Sequence, residues 1–269
     1  MQKKEQKRLI AIEKELRAAA AKEEKYVKAM QEKQHAAWKI ALEEKIPAKV
    51  REGVEGAFAK AFSMIFQKGK TVIEKSYRKE TLIEDHDILD YAFRVKCGRR
   101  ELRAIEKNAG RSHFRNVAFT TAEGVGLGAL GVGLPDVVIF LGVILRGVFE
   151  TALCYGYSYE SRAEQMLILQ MMEASLSAGE AFDDLHVKVN ERMAEPCEVS
   201  DEMWDEQIRK TAAAFSSDTL LLKFVQGLPV VGVIGGAANP VYYNKVMRYV
   251  QLCYHKRYLQ KIYWERTAE

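Results

Sequence analysis

AEGVGLGALGVGLPDVVIFLGVILRGVFETALCYGY, residues 122–157, is the stretch whose reading decides the fold. From residue 125 to 149 only Asp136 and Arg146 carry charge, in a chain that elsewhere has a charge every three or four positions. Its first part holds Gly126, Gly128, Gly131 and Gly133. Each glycine costs about 1 kcal/mol in a helix interior relative to alanine, so this run serves a turn or a close approach of backbones. Its second part begins with Pro135, suited to a first helical position, and Asp136, suited to the positive end of a helix dipole. The residues that follow are apolar on nearly all sides, which predicts a helix buried in protein or in lipid.

A membrane span needs about 20 predominantly apolar residues. The run reaches that length only by including the glycines, Pro135 and Asp136, so a core helix or a membrane-dipping hairpin is favoured over a span. Gly126, Gly128 and Gly131 also spell GxGxxG, with Glu150 about 20 residues on. A dinucleotide fingerprint needs a preceding strand and a helix opening at the motif, whereas Gly133 and Pro135 interrupt and the flanks are helical in period.

Working outward, LLLKFVQGLPVVGVIGGAANPVYYNKVMRYV echoes the first stretch. Gly227 and Pro229 repeat the Gly-Leu-Pro of residues 133–135, and Gly232 with Gly236 has the small-xxx-small spacing of close helix contacts. The two stretches are expected to pack together. The final helix interleaves Tyr242, Tyr243, Lys245, Arg248, Tyr249, Tyr254, Lys256, Arg257, Tyr258, Tyr263 and Trp264, which suits core packing first and a membrane interface second.

Before the first stretch, Thr81 with Glu84 suggests a capping box for a helix whose apolar face is Ile88, Leu89, Ala92, Phe93 and Val95. The acidic run of residues 84–87 with Asp90 reads as a dipole-matched first turn rather than a metal site. Arg99, Arg103 and Lys107 share one helical face and are candidates for anionic headgroups, as are Lys245 and Arg248. Residues 48–79 form an amphipathic segment that Gly69 is expected to break. Ser161 with Glu164, and Ser200, mark further helix starts, and Pro196 a stop.

Residues 1–45 hold twelve Lys and Arg against eight Glu and so supply the whole net charge of +4. They read as a charged helical extension lying loosely on the body, with Glu23 and Lys33 breaking its apolar stripe. A charge this small argues against a nucleic-acid partner. Cys97, Cys154, Cys197 and Cys253 contain no CxxC and read as reduced core thiols of a cytoplasmic protein. No apolar core of a secretory signal stands near residue 1. GxSxG, HExxH, Cys-His signatures and a phosphate loop are all missing, so a non-enzymatic role without a cofactor is expected.

The block GLGALGVGLPDVV…ALCYGYSYESRAEQMLIL, the downstream LPVVGVIGGAANPVYYNKV and IPAKV at residues 46–50 resemble the EcsC family. The chain departs from that pattern in two places. Pro135 precedes Asp136 where the reverse order is common, and Ser158 stands where an Asp usually follows Tyr157. The resemblance covers roughly residues 45–265. It implies a membrane-associated accessory protein, its founding member being encoded beside an ABC transporter.

The expectation is therefore an all-α chain, with residues 1–45 as extension and 46–269 as one helical domain. Two Gly-rich apolar segments form its centre, and Asp136, Arg146, Tyr155, Tyr157 and Asn239 are its partnered polar groups. The expected role is a peripheral accessory protein on the inner face of the cell membrane, with anionic lipid and an ABC transporter as partners. The other reading is a soluble binder of a lipid or other hydrophobic ligand in a helical cavity.

Overall fold

A computed structural model describes residues 2–32, 46–119, 135–225 and 239–267, without the side chains of 2, 112–119, 135–136, 221–225 and 239–241. Among these residues the fold is all-α. In chain order the helices are α1 (Gln2–Gln31), α2 (Ala48–Met64), a π-helical turn (Ile65–Gly69), α3 (Lys70–Glu74), α4 (Lys79–Lys96) and α5 (Arg99–Phe119). They continue with α6 (Pro135–Cys154), α7 (Arg162–Leu176), α8 (Gly179–Ala194), α9 (Asp201–Val225) and α10 (Asn239–Thr267).

The apolar helix α6 lies at the centre, packed by α2, α3, α4, α5 and α10. By length and composition Val137–Cys154 could cross a membrane, yet 83% of it is buried inside the bundle. Val138, Leu141, Leu145, Val148 and Phe149 are fully enclosed, because an all-round apolar helix removes most surface from water when helices cover every side. At Gly147 a Cβ would come 2.5 Å from the Tyr243 hydroxyl oxygen, so the missing side chain lets α10 press against α6.

The Tyr-Gly-Tyr turn closes α6. Tyr157 N–H donates to Ala152 O (2.9 Å) and Gly156 N–H to Leu153 O (2.9 Å), a Schellman pair that satisfies two end carbonyls. Gly156 has φ +76°, and a Cβ there would meet His86 Nε2, so the turn needs glycine twice over. Ser161 then caps α7, its hydroxyl accepting from Glu164 N–H as the sequence suggests.

Ring contacts fix the helix directions. Phe58–Phe140 and Phe66–Phe149 set α2 parallel to α6, and Phe140–Tyr242 and Tyr155–His255 set α10 parallel to it as well. Phe140–Phe215 with Phe66–Trp204 runs α9 the opposite way. Pairs of Glu15 with Arg99 and of Lys22 with Glu106 make α1 parallel to α5, while Tyr26–Tyr249 and Glu23–Lys256 make α1 antiparallel to α10. Consequently residues 119 and 135, 225 and 239, and 32 and 46 all bracket their connections at one end of the bundle.

Several expectations are corrected. The helix α1 is part of the core: Ala11, Ile12, Ala19 and Met30 are buried in it. Of its two polar interruptions Glu23 is ion-paired across to Lys256 (2.7 Å) and Lys33 lies outside the described residues, while Glu15 pairs with Arg99 (2.6 Å) and Arg103 (3.1 Å). A thin apolar stripe is therefore enough to seat it. The helix α4 begins at Lys79, so Thr81 lies within it and caps nothing. Of its expected apolar face, Phe93 is buried and Leu89 packs on the core, but Ile88 and Val95 are 64% and 44% exposed, and Leu82 is buried in their place. This orientation is fixed by His86 Nδ1 meeting Cys154 O (3.0 Å) and Tyr258 O–H donating to Asp90 (2.8 Å). Gly69 closes the π-helical turn, and the chain stays helical to Glu74. Cys97, Cys154 and Cys253 are core thiols, but Cys197 is exposed.

Candidate functional site

The C-terminal half of α1, the middle of α5 and the first half of α10 do not close completely. They leave a cavity of about 650 Å³. One wall is apolar, from Tyr26, Ala29 and Met30 of α1 and Leu252 of α10. Lys22 and Lys25 on α1 and Lys245 and Arg248 on α10 contribute cations, against the single carboxylate of Glu106. Tyr155, at the end of α6, and His255 form another part of the lining, their rings stacked 5.8 Å apart.

The cations are not equivalent. Lys22 is ion-paired with Glu106, and Lys245 with Asp218 at 2.5 Å. Arg248 lies 6.0 Å over the Tyr26 ring, and both it and Lys25 lack a carboxylate partner among the described residues. Gln251 contributes a side-chain amide nitrogen, buried and without an acceptor among the described residues. A buried donor left unpaired costs about 1–3 kcal/mol, and this one lies behind the cavity wall with less than 1 Å² of accessible surface.

His255 is buried, and that burial pushes its pKa below the ordinary 6.5, with Lys22 acting the same way and Glu106 and Glu15 against it. Its Nδ1 lies 3.9 Å from Glu106. Since the folded state resists protonation more than the unfolded chain does, the stability tied to neutral His255 is complete above about pH 6.5 and is lost as pH falls below it. A His255→Gln variant is therefore expected to gain on wild type in melting temperature as the buffer goes from about pH 7.5 to about pH 5. A constant difference across that range would show that the imidazole protonates equally in both states.

The residues singled out from sequence are not gathered into one centre. Arg146 pairs along α6 with Glu150 (3.0 Å), both half-buried or buried, which also accounts for the carboxylate at dinucleotide spacing. Tyr155 joins the cavity, but Tyr157 faces elsewhere, under Arg257 at 4.2 Å and beside Tyr254. Asp136 and Asn239 stand in the first turns of α6 and α10, and their side chains lie outside the described residues. Pro135 opens α6. Gly126, Gly128, Gly131, Gly133, Gly227, Pro229, Gly232 and Gly236 lie outside the described residues altogether.

Of the proposed headgroup contacts, Arg99 and Arg103 are committed to Glu15 and Lys245 to Asp218. Lys107 and Arg248 are exposed. Tyrosines of the last helix turn inward: Tyr242, Tyr243, Tyr249, Tyr254 and Tyr258 are buried, and Trp264 is 66% exposed. Among the described residues no cluster of His, Cys, Asp and Glu is arranged to hold a metal ion.

Sequence reasoning missed two polar networks. Glu164 accepts from Tyr254 O–H (2.7 Å) and from Arg257 at both oxygens (2.8 Å each). His186 bridges Glu23 (3.2 Å), Tyr249 (2.8 Å) and Asn190 (3.1 Å). The signal available was a carboxylate on an otherwise apolar helical stripe, as with Glu23.

The chain belongs to the EcsC protein family, whose family model matches residues 11–259 and so takes in most of α1 along with the bundle. No curated protein and no solved structure matches it.

Proposed function

We propose that this EcsC-family chain is a non-enzymatic peripheral membrane protein of the inner membrane face, working as an accessory to an ABC transporter. The observation that carries the reading is topological. The connections that contain both Gly-rich apolar sequences, 120–134 and 226–238, start and finish at the same end of the bundle. The parallel α6 and α10 begin there and the antiparallel α5 and α9 end there. Glycine-rich sequence whose one charge is Glu123, joining helix ends that share one end of the bundle with the exposed Arg248 in the third turn of α10, suits contact with an anionic leaflet. The transporter enters through the family resemblance alone.

The test is flotation of the full-length chain with vesicles containing anionic lipid, at low and high salt, beside a variant in which residues 122–134 are replaced by a polar linker of equal length. Wild type is expected to float at both salt concentrations, and the variant, melting as wild type does, to stay at the bottom of the gradient. Wild type that remains at the bottom under every condition removes the membrane reading.

A further inference from the structure

We propose that the cavity between α1, α5 and α10 binds an anionic amphiphile, a phosphate ester carried on a short stretch of hydrocarbon. The inference rests on the membrane reading only for the source of such a ligand, a lipid, and not for the site itself.

Size comes first: about 650 Å³ lies within the range of small-molecule pockets, roughly 300–1,000 Å³. Charge comes next. Four cations face one carboxylate, and the two whose charges are already compensated, Lys22 and Lys245, leave Lys25 and Arg248 to meet a ligand. An ammonium and a guanidinium together suit a phosphate, the guanidinium offering its planar pair of N–H donors. A cationic or metal ligand is disfavoured by the same charges.

The unpaired amide of Gln251 supplies the second argument. Gln251 lines the cavity while its amide nitrogen is turned away from the open space without an acceptor, and a rotation of the side chain would let that nitrogen donate to a phosphate or ester oxygen. Third, the remaining wall is apolar. Tyr26, Ala29, Met30 and Leu252 offer no hydrogen-bonding partner along the side chains of the latter three, so a purely hydrophilic anion would leave that surface unused. A phosphate at the Lys25–Arg248 side with methylenes along Met30 and Leu252 uses both walls.

Binding is measured on the full-length chain by isothermal titration, with no bilayer present. The probes are dihexanoyl phosphatidic acid below its micelle concentration, dihexanoyl phosphatidylcholine and glycerol 3-phosphate. Phosphatidic acid is expected to bind about tenfold or more tightly than either of the others, the first losing net charge and the second the hydrocarbon. Lys25→Glu with Arg248→Glu is expected to weaken it by at least about tenfold, at exposed positions where the fold tolerates change. Ala29→Trp, which fills the apolar wall from an exposed position, is expected to abolish binding and leave flotation intact.

Unchanged affinity in the double charge reversal overturns the site, as does binding of none of the probes. Glycerol 3-phosphate binding as tightly as phosphatidic acid overturns the amphiphile in favour of a free phosphate ester. Should Ala29→Trp melt low, the double charge reversal carries the decision. Loss of flotation with titrated binding intact counts against the membrane reading alone.

Discussion

Replacing Glu164 with Ala is expected to cost the bundle about 3–5 kcal/mol, the range for breaking a buried ion pair from one side. The carboxylate is 8% exposed and accepts three hydrogen bonds, two from Arg257 and one from Tyr254. Arg257 is itself only 14% exposed, so its guanidinium would be left with a desolvated charge, and the enclosed Tyr254 hydroxyl with no acceptor. The N-cap survives the change, since Ser161 bonds the backbone N–H of residue 164 and not its side chain. Glu164→Gln, which retains an acceptor for Tyr254 but not the charge, is expected to fall between. Urea titration of the three proteins checks this. A loss under about 1 kcal/mol in the alanine variant would mean that Arg257 swings out to water, and that the pair orients α7 against α10 without holding them together.

Phe149→Ala should cost a similar amount, about 3–5 kcal/mol, by a different route. The Phe149 ring is fully buried and stacks on Tyr159 at 4.2 Å and 14°. Truncation leaves a cavity at the centre of α6. It also takes away the surface that holds Tyr159 in place to donate to Glu74 (2.8 Å) and to meet the Tyr77 hydroxyl (2.5 Å). The drop in melting temperature is expected to be on the order of 10 °C. Tyr159→Phe separates the two contributions, because it keeps the stack and loses only the hydroxyl, at about 1–3 kcal/mol. If Phe149→Ala and Tyr159→Phe cost the same, the hydrogen bonds and not the packing dominate at this point.

Much of the core could be read directly from periodicity. Of Val50, Val54, Phe58, Phe62 and Ile65, which recur at helical spacing, the last three are buried and the two valines half-buried, while Met166, Leu167, Leu169 and Met172, and Trp204, Ile208 and Ala212 are all buried. In these segments one apolar stripe has one place to go. Where a helix carries apolar residues on two faces the same logic fails. In α4 Ile88 and Val95 stayed outside while Leu82, Leu89 and Phe93 turned inward, on the side where His86 and Asp90 found partners on α6 and α10. Buried hydrogen bonds between distant residues leave no periodic trace in a sequence.

The candidate cavity was less legible still. Tyr155, Lys245 and Arg248 had been singled out, but for other roles, and neither Lys25 nor Gln251 stands out in its own segment. Their common feature is that α1 lies against α5 and α10, the latter contact joining residues more than two hundred positions apart through charged pairs such as Glu23–Lys256.

By itself the sequence determined the all-helical class, that the helix starting at Pro135 is buried in protein or in lipid, and the resemblance that the family match bears out. These follow from local pattern: apolar residues in helical period, a proline at a first turn, and recurring Gly-rich motifs. Tertiary structure decided that the Pro135 helix is covered by protein, which face α4 buries, that α1 belongs to the core, and that the helix ends flanking both Gly-rich connections share one end of the bundle. It also decided that cations from α1 and α10 line one cavity. The physical reason is that ion pairs, stacked rings and unfilled space are properties of surfaces that meet, and which surfaces meet is settled only when every helix competes for the same core.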